Sequence, residues 1–227
     1  SISSIAAAVN DLVVTSDNAG TGATTVNITG TAILADKLNL VGLNTTTGGS
    51  MIVVNAIGAI AIANVTVITG IATTTSDGGS NSVLNLSANA AFTGHATLDD
   101  AGTGKGIIQK VGSTASIISG NISGTAAGEG TINVTGSGVT SFSGTVGATN
   151  EMLAINISSG ATATFAAATD ADLIASAGTL TLGEVTKTDA LNITAGTTTA
   201  DLKTGVISIG AVDGSAMTAI TISDGAT

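Results

Sequence analysis

The stretch Gly130–Ile157, GTINVTGSGVTSFSGTVGATNEMLAINI, decides the fold class. It is a series of short runs in which apolar and polar residues alternate. These are Ile132-Asn133-Val134, Val139–Phe142 and Ile155-Asn156-Ile157, separated by glycines at 130, 136, 138, 144 and 147. Alternation with period two sends successive side chains to opposite faces of a strand. Ile132 and Val134 therefore point to a core and Asn133 points away from it. The aliphatic–Asn–aliphatic triplet recurs as Val26-Asn27-Ile28, Leu38-Asn39-Leu40, Leu84-Asn85-Leu86 and Leu191-Asn192-Ile193, with Ile220-Thr221-Ile222 as a threonine variant. The triplets fall at loose multiples of about twelve residues, a soft repeat with insertions.

Composition narrows the architecture. The chain has 227 residues, 43% hydrophobic but only 1% aromatic: three Phe, with no Trp or Tyr. Its apolar supply is Ala, Val, Ile and Leu, which suits a thin core of small and branched side chains better than a sandwich core built on bulky rings. There are 31 Gly and no Pro, so Gly, Asn, Asp and Ser must make the turns. Thr and the branched aliphatics favour a pleated, half-buried surface over helix. Tight antiparallel hairpins would want Asn-Gly or Asp-Gly pairs between strands. Only Asp77-Gly78, Asp213-Gly214 and Asp224-Gly225 provide one.

The expectation is an all-β chain, a parallel β-solenoid (β-helix) with short strands and Gly/Asn/Ser/Asp-rich corners. Tandem β-sandwiches are the runner-up. Residues 1–23 read as an irregular lead-in or a preceding coil, and 24–227 as one continuous solenoid. The polar patches 44–50, 73–81 and 97–106 read as loops inserted at corners. In such a coil, outward Asn and Thr of successive turns stack into hydrogen-bonded ladders. The apolar run 51–68 is broken by Asn55 and Asn64 and is too short for the ~20 clean apolar residues of a membrane-spanning helix, so it reads as buried strand. A start without a basic leader and an end inside the repeat rhythm suggest a fragment of a longer chain.

Charge excludes several function classes. Net charge is −10, with five Lys, no Arg and one His. A nucleic-acid partner requires clustered cations to replace phosphate counterions, and anionic membrane surfaces make the same demand. Charged residues are only 9% of the chain, which leaves hydroxyls and amides to cover the surface. That pattern, without cysteine, is common in secreted bacterial surface proteins.

Chemistry-bearing motifs are sparse. His95 stands alone, so neither a Ser–His–Asp arrangement nor a histidine metal cluster is available, and it reads as a turn residue. Gly102-Thr103-Gly104-Lys105-Gly106 lacks the P-loop spacing and its Ser/Thr, and reads as a lysine-bearing loop. The tight carboxylate pairs are Asp99-Asp100 and Asp170-Ala171-Asp172. On a strand Asp170 and Asp172 share a face, a geometry compatible with glycoside hydrolysis, but the nearest lysine in sequence is Lys187. Calcium ligation through Asp99, Asp100, Asp170 and Asp172 is the weak metal candidate. No catalytic and no cofactor-binding residues emerge. Eight Asn-x-Ser/Thr sequons, at Asn27, Asn44, Asn64, Asn85, Asn121, Asn133, Asn156 and Asn192, are mostly generated by the repeat and read as outward strand positions.

The runs Ser119–Gly124 (SGNISG), Gly130–Gly136 (GTINVTG), Phe142–Gly147 (FSGTVG) and Ala148–Asn150 (ATN) resemble the passengers of rickettsial surface-antigen autotransporters. The likeness is clearest over 119–200. Thr179–Gly183 (TLTLG) and Ala190–Gly196 (ALNITAG) are similar also to bacterial S-layer proteins. The resemblance implies an extracellular β-solenoid on a bacterial cell surface. It would be a non-enzymatic structural protein that self-associates into a layer or fibre. The alternative it implies is an adhesin that binds a host receptor through corner loops. A polysaccharide-active enzyme on the same scaffold is the remote alternative.

Overall fold

The computed structural model describes residues 5–16, 24–28, 32–42, 52–56, 60–69, 81–87, 91–100, 104–183, 186–193, 197–200, 207–213 and 219–222. Every regular element among them is a β-strand, and the strands form two sheets. One sheet runs β1 (Ile5–Ser16), β3 (Ala32–Gly42), β5 (Ile60–Thr69), β7 (Phe92–Asp99), β9 (Ser116–Ser119), β12 (Val139–Phe142), β14 (Thr162–Phe165), β16 (Thr179–Leu182), β18 (Thr197–Ala200) and β20 (Ala219–Ile222). A short strand, β10 (Ile122–Gly124), pairs with the second half of β7. The other sheet runs β2 (Thr24–Ile28), β4 (Ile52–Ala56), β6 (Ser82–Leu86), β8 (Gly106–Lys110), β11 (Glu129–Val134), β13 (Met152–Ile157), β15 (Thr169–Ser176), β17 (Thr186–Ile193) and β19 (Ile207–Asp213).

The chain alternates between the sheets, and each strand pairs in parallel with the strand one coil on. This is a β-solenoid. Parallel pairing throughout the described ladders sets aside the tandem sandwich, whose hairpins require antiparallel neighbours. The first sheet begins at β1, whose Leu12, Val13 and Val14 pair with Leu38, Asn39 and Leu40. Successive ladder asparagines on the other sheet lie 28, 30 and, further along, 23 residues apart, so coil length varies while the register holds.

The core is the narrow space between the sheets, filled column by column. In the first sheet Phe92, Ile118, Phe142, Phe165 and Leu182 occupy one inward column, fixed by register. All five are buried, and the chain's three aromatic residues all belong to this column. Phe142 and Phe165 stack with centroids 4.4 Å apart and ring planes 3° apart. In the other sheet the inward column is Leu86, Lys110, Val134, Ile157 and Ser176. Leu84, Ile108, Ile132, Ile155 and Ile174 form a second buried column beside it.

Glycines turn the corners because coils approach one another there by backbone. Gly120 has φ +115°, and a Cβ on it would lie 1.9 Å from the Gly94 carbonyl oxygen in the preceding coil. A Cβ on Gly144 would in turn lie 2.1 Å from the Gly120 oxygen. Neither space nor, at Gly120, backbone conformation admits a side chain.

Candidate functional site

Two outer faces carry the side chains available to a partner, and they differ in chemistry. On the β2–β19 sheet the outward column through the triplets is Asn27, Asn55, Asn85, Gln109, Asn133 and Asn156. Asn55 Nδ2 donates to Asn27 Oδ1 at 2.8 Å, Asn85 Nδ2 to Asn55 Oδ1 at 3.1 Å, and Asn156 Nδ2 to Asn133 Oδ1 at 2.9 Å. Every bond runs in the same direction, each amide donating to the coil before it. Gln109 interrupts the series, and Asn85 Oδ1 is left buried without a hydrogen-bond partner. The amides of the described sequons at Asn27, Asn133 and Asn156 are thus engaged in the wall. Asn44 lies outside the described residues.

From Ser116 onward the outer face of the other sheet is built of hydroxyls and aliphatics. Its two outward columns are Val139, Thr162 and Thr179, and Ile117, Ser141, Thr164 and Thr181. The backbone ladder continues with Thr179 in register with Thr197 and Thr181 with Thr199, then Thr197 with Ala219 and Thr199 with Thr221. From Ser116 onward the strands of this sheet contain no charged residue. The strands of the opposite sheet over the same span hold Glu129, Asp170, Asp172, Lys187, Asp189 and Asp213, with Glu151 directly before β13. This end of the solenoid therefore has an acidic side and a neutral side.

The structure places the carboxylate pairs on different sheets. Asp99 ends β7, and Asp100 follows it. Asp100 Oδ2 accepts from Lys105 Nζ at 2.9 Å and Oδ1 from the Gly106 amide at 3.0 Å, so both its oxygens hold the turn into β8. The Lys105 amide donates to Asn81 Oδ1 at 3.0 Å. Lys105 is thus the turn lysine expected. Asp170 and Asp172 flank the buried Ala171 on β15 and share its outward side. Asp170 is in register with Lys187, and Asp172 approaches Gly128. Among the described residues no three His, Cys, Asp or Glu side chains gather as a metal site.

His95 lies within β7 rather than in a turn, at the point where the partner of β7 changes from β9 to β10. It is exposed, and its Nδ1 accepts a hydrogen bond from the Asn121 amide at 3.0 Å. Asn121 Oδ1 accepts in turn from the Thr145 amide of the following coil at 3.1 Å. The two side chains pin the glycine corner across three coils. Of the loop segments, 44–50 and 73–80 lie outside the described residues, while Thr97–Asp99 belong to β7.

Lys110 is the residue the sequence reading passed over. It is 1% exposed, occupies a core position between Leu86 and Val134, and its ammonium donates to the Val111 carbonyl at the corner. Burial holds its pKa below the ordinary lysine value. The signal was present in the sequence, since Lys110 has the same strand parity as the buried Ile108.

Among the described residues no helix is long and apolar enough to cross a membrane. Comparison with known protein families, with curated proteins and with solved structures finds no match for this chain.

Proposed function

We propose that this chain is a structural wall element of a bacterial cell surface, extracellular and non-enzymatic, which associates with copies of itself into a layer or fibre. The observation that supports the reading best is the in-register stack itself. Asparagine amides, phenylalanine rings and glycine corners are each reused from coil to coil to tie the chain to itself. Amide ladders and close-packed columns give stiffness along the stack without charge. The chemistry-bearing side chains traced above fit the same role. Asp100, Lys105, His95 and Asn121 all fasten corners. Extracellular placement rests on the resemblance to autotransporter passengers and S-layer proteins and on a surface of hydroxyls and amides.

Electron microscopy of the purified chain tests the proposal. Rods, fibres or a lattice that become more ordered with concentration are the expected result. Dispersed particles at every concentration would overturn it.

A further inference from the structure

We infer that the neutral threonine face, centred on β12, β14 and β16, is the surface through which one copy of this chain packs against a second copy. The inference rests on the self-associating function proposed above and names the face that carries it. Three observations converge on this surface.

The first is electrostatic. Two copies of a chain with net charge −10 repel wherever their carboxylates meet. From Ser116 onward the strands of the threonine sheet contain no charged residue, while Glu129, Asp170 and Asp172 lie on strands of the opposite sheet. A pairwise contact through this face keeps both acidic sides turned outward and leaves growth of a layer or fibre to further contacts.

The second is apolar exposure. Ile117 is 59% exposed and Val139 45%; Val139 heads the column of Thr162 and Thr179, and Ile117 the column of Ser141, Thr164 and Thr181. Desolvating β-branched methyls while hydroxyls pair is how facing sheets form dry, interdigitated contacts.

The third is geometric repetition. Phe142 and Phe165, on the inner side of the strands that carry Ser141 and Thr164, stack with their planes only 3° apart. Adjacent coils here are related by near-translation. Outward side chains therefore repeat in straight rows, and rows of one copy meet rows of another along the whole patch.

Magnitude sets the strength of the contact. Six four-residue strands spaced ~4.8 Å apart make a patch of roughly 30 by 13 Å, about 400 Å². A stable pair buries about 800 Å² per partner. The contact alone is weak and concentration-dependent, and it gains strength only when many copies are held together.

Sedimentation equilibrium from micromolar to millimolar protein tests this with three variants: the double variant Thr164→Glu/Thr181→Glu, Ile117→Asp, and Thr131→Glu on the acidic sheet. Far-UV circular dichroism establishes that each is folded. The expected result is reversible association of the parent, weakened at least tenfold by both face variants and unchanged by Thr131→Glu. Association that survives in both face variants would overturn the assignment of this face while leaving self-assembly in place. A parent that stays monomeric throughout overturns both readings. If that monomer facets ice crystals and Thr164→Glu/Thr181→Glu abolishes the effect, the repeating face belongs to an ordered water lattice instead of a second copy.

Discussion

Phe142 and Phe165 lie parallel one coil apart, their ring centroids separated by 4.4 Å, both about 1% exposed. The spacing is close to the strand repeat of a sheet, so the rings report how coil stacks on coil. A core this thin has few atoms available to collapse into a void. Phe142→Ala is expected to lower stability by about 3–5 kcal/mol through lost burial and an unfilled cavity. Phe142→Leu, which continues the aliphatic column of Ile118, is expected to lose less than half of that. Chemical denaturation of the three proteins checks the order.

The asparagine series is broken at Gln109, and again at Ala175 between Asn156 and Asn192. With Gln109→Asn, the new amide is placed to donate to the unpartnered Asn85 Oδ1 and to accept from Asn133 Nδ2, joining two short ladders into one. The expected gain is about 1 kcal/mol from one satisfied buried acceptor and one added bond. A raised denaturation midpoint with an unchanged slope is the measurement.

Much of this was legible in the sequence, for identifiable reasons. Period-two runs such as Ile132-Asn133-Val134 mark the inward and outward sides of each strand, and the scarcity of aromatics and of hairpin-turn pairs favours parallel stacking. The columns were less legible because coil length varies. Asn55 joins the ladder although its run ends in Ala56, whereas Asn39, inside a full triplet, belongs to the other sheet. The charge asymmetry between the sheets follows from strand membership, which period and composition do not reveal. Asp100 and Asp172 are equivalent in composition, yet one fastens a turn and the other lies on a strand face.

Lys110 places a titratable amine among aliphatics. Lys110→Met keeps an unbranched chain in the column and is expected to stabilise the fold at neutral pH by about 1–2 kcal/mol, by removing a buried ammonium. The pH dependence has a definite sign. The folded-state pKa is lowered, so between that value and the ordinary 10.5 the unfolded chain binds more protons, and raising pH stabilises the parent. The advantage of the Met variant is therefore full at neutral pH and shrinks as pH climbs towards 10.5. Urea titrations of both proteins across alkaline pH measure the difference.

Glycine corners divide into two kinds. At Gly120 a side chain meets both a positive φ and the Gly94 oxygen, whereas at Gly160, φ +78°, nothing lies within 4 Å of the added Cβ. Gly160→Ala isolates the conformational term and is expected to cost about 1–2 kcal/mol. Gly120→Ala adds a backbone collision and is expected to cost about 2 kcal/mol more, since the neighbouring coil must shift. Thermal unfolding of the pair separates strain from contact.

If the wall is the function, copies meet side by side through the threonine face. Small-angle X-ray scattering over a concentration series distinguishes side-by-side from end-to-end contact, because the cross-section and length of a rod are read separately. The expected result is a cross-section that grows with concentration while the length stays constant. Growth in length alone, or scattering that keeps one shape at every concentration, would contradict it.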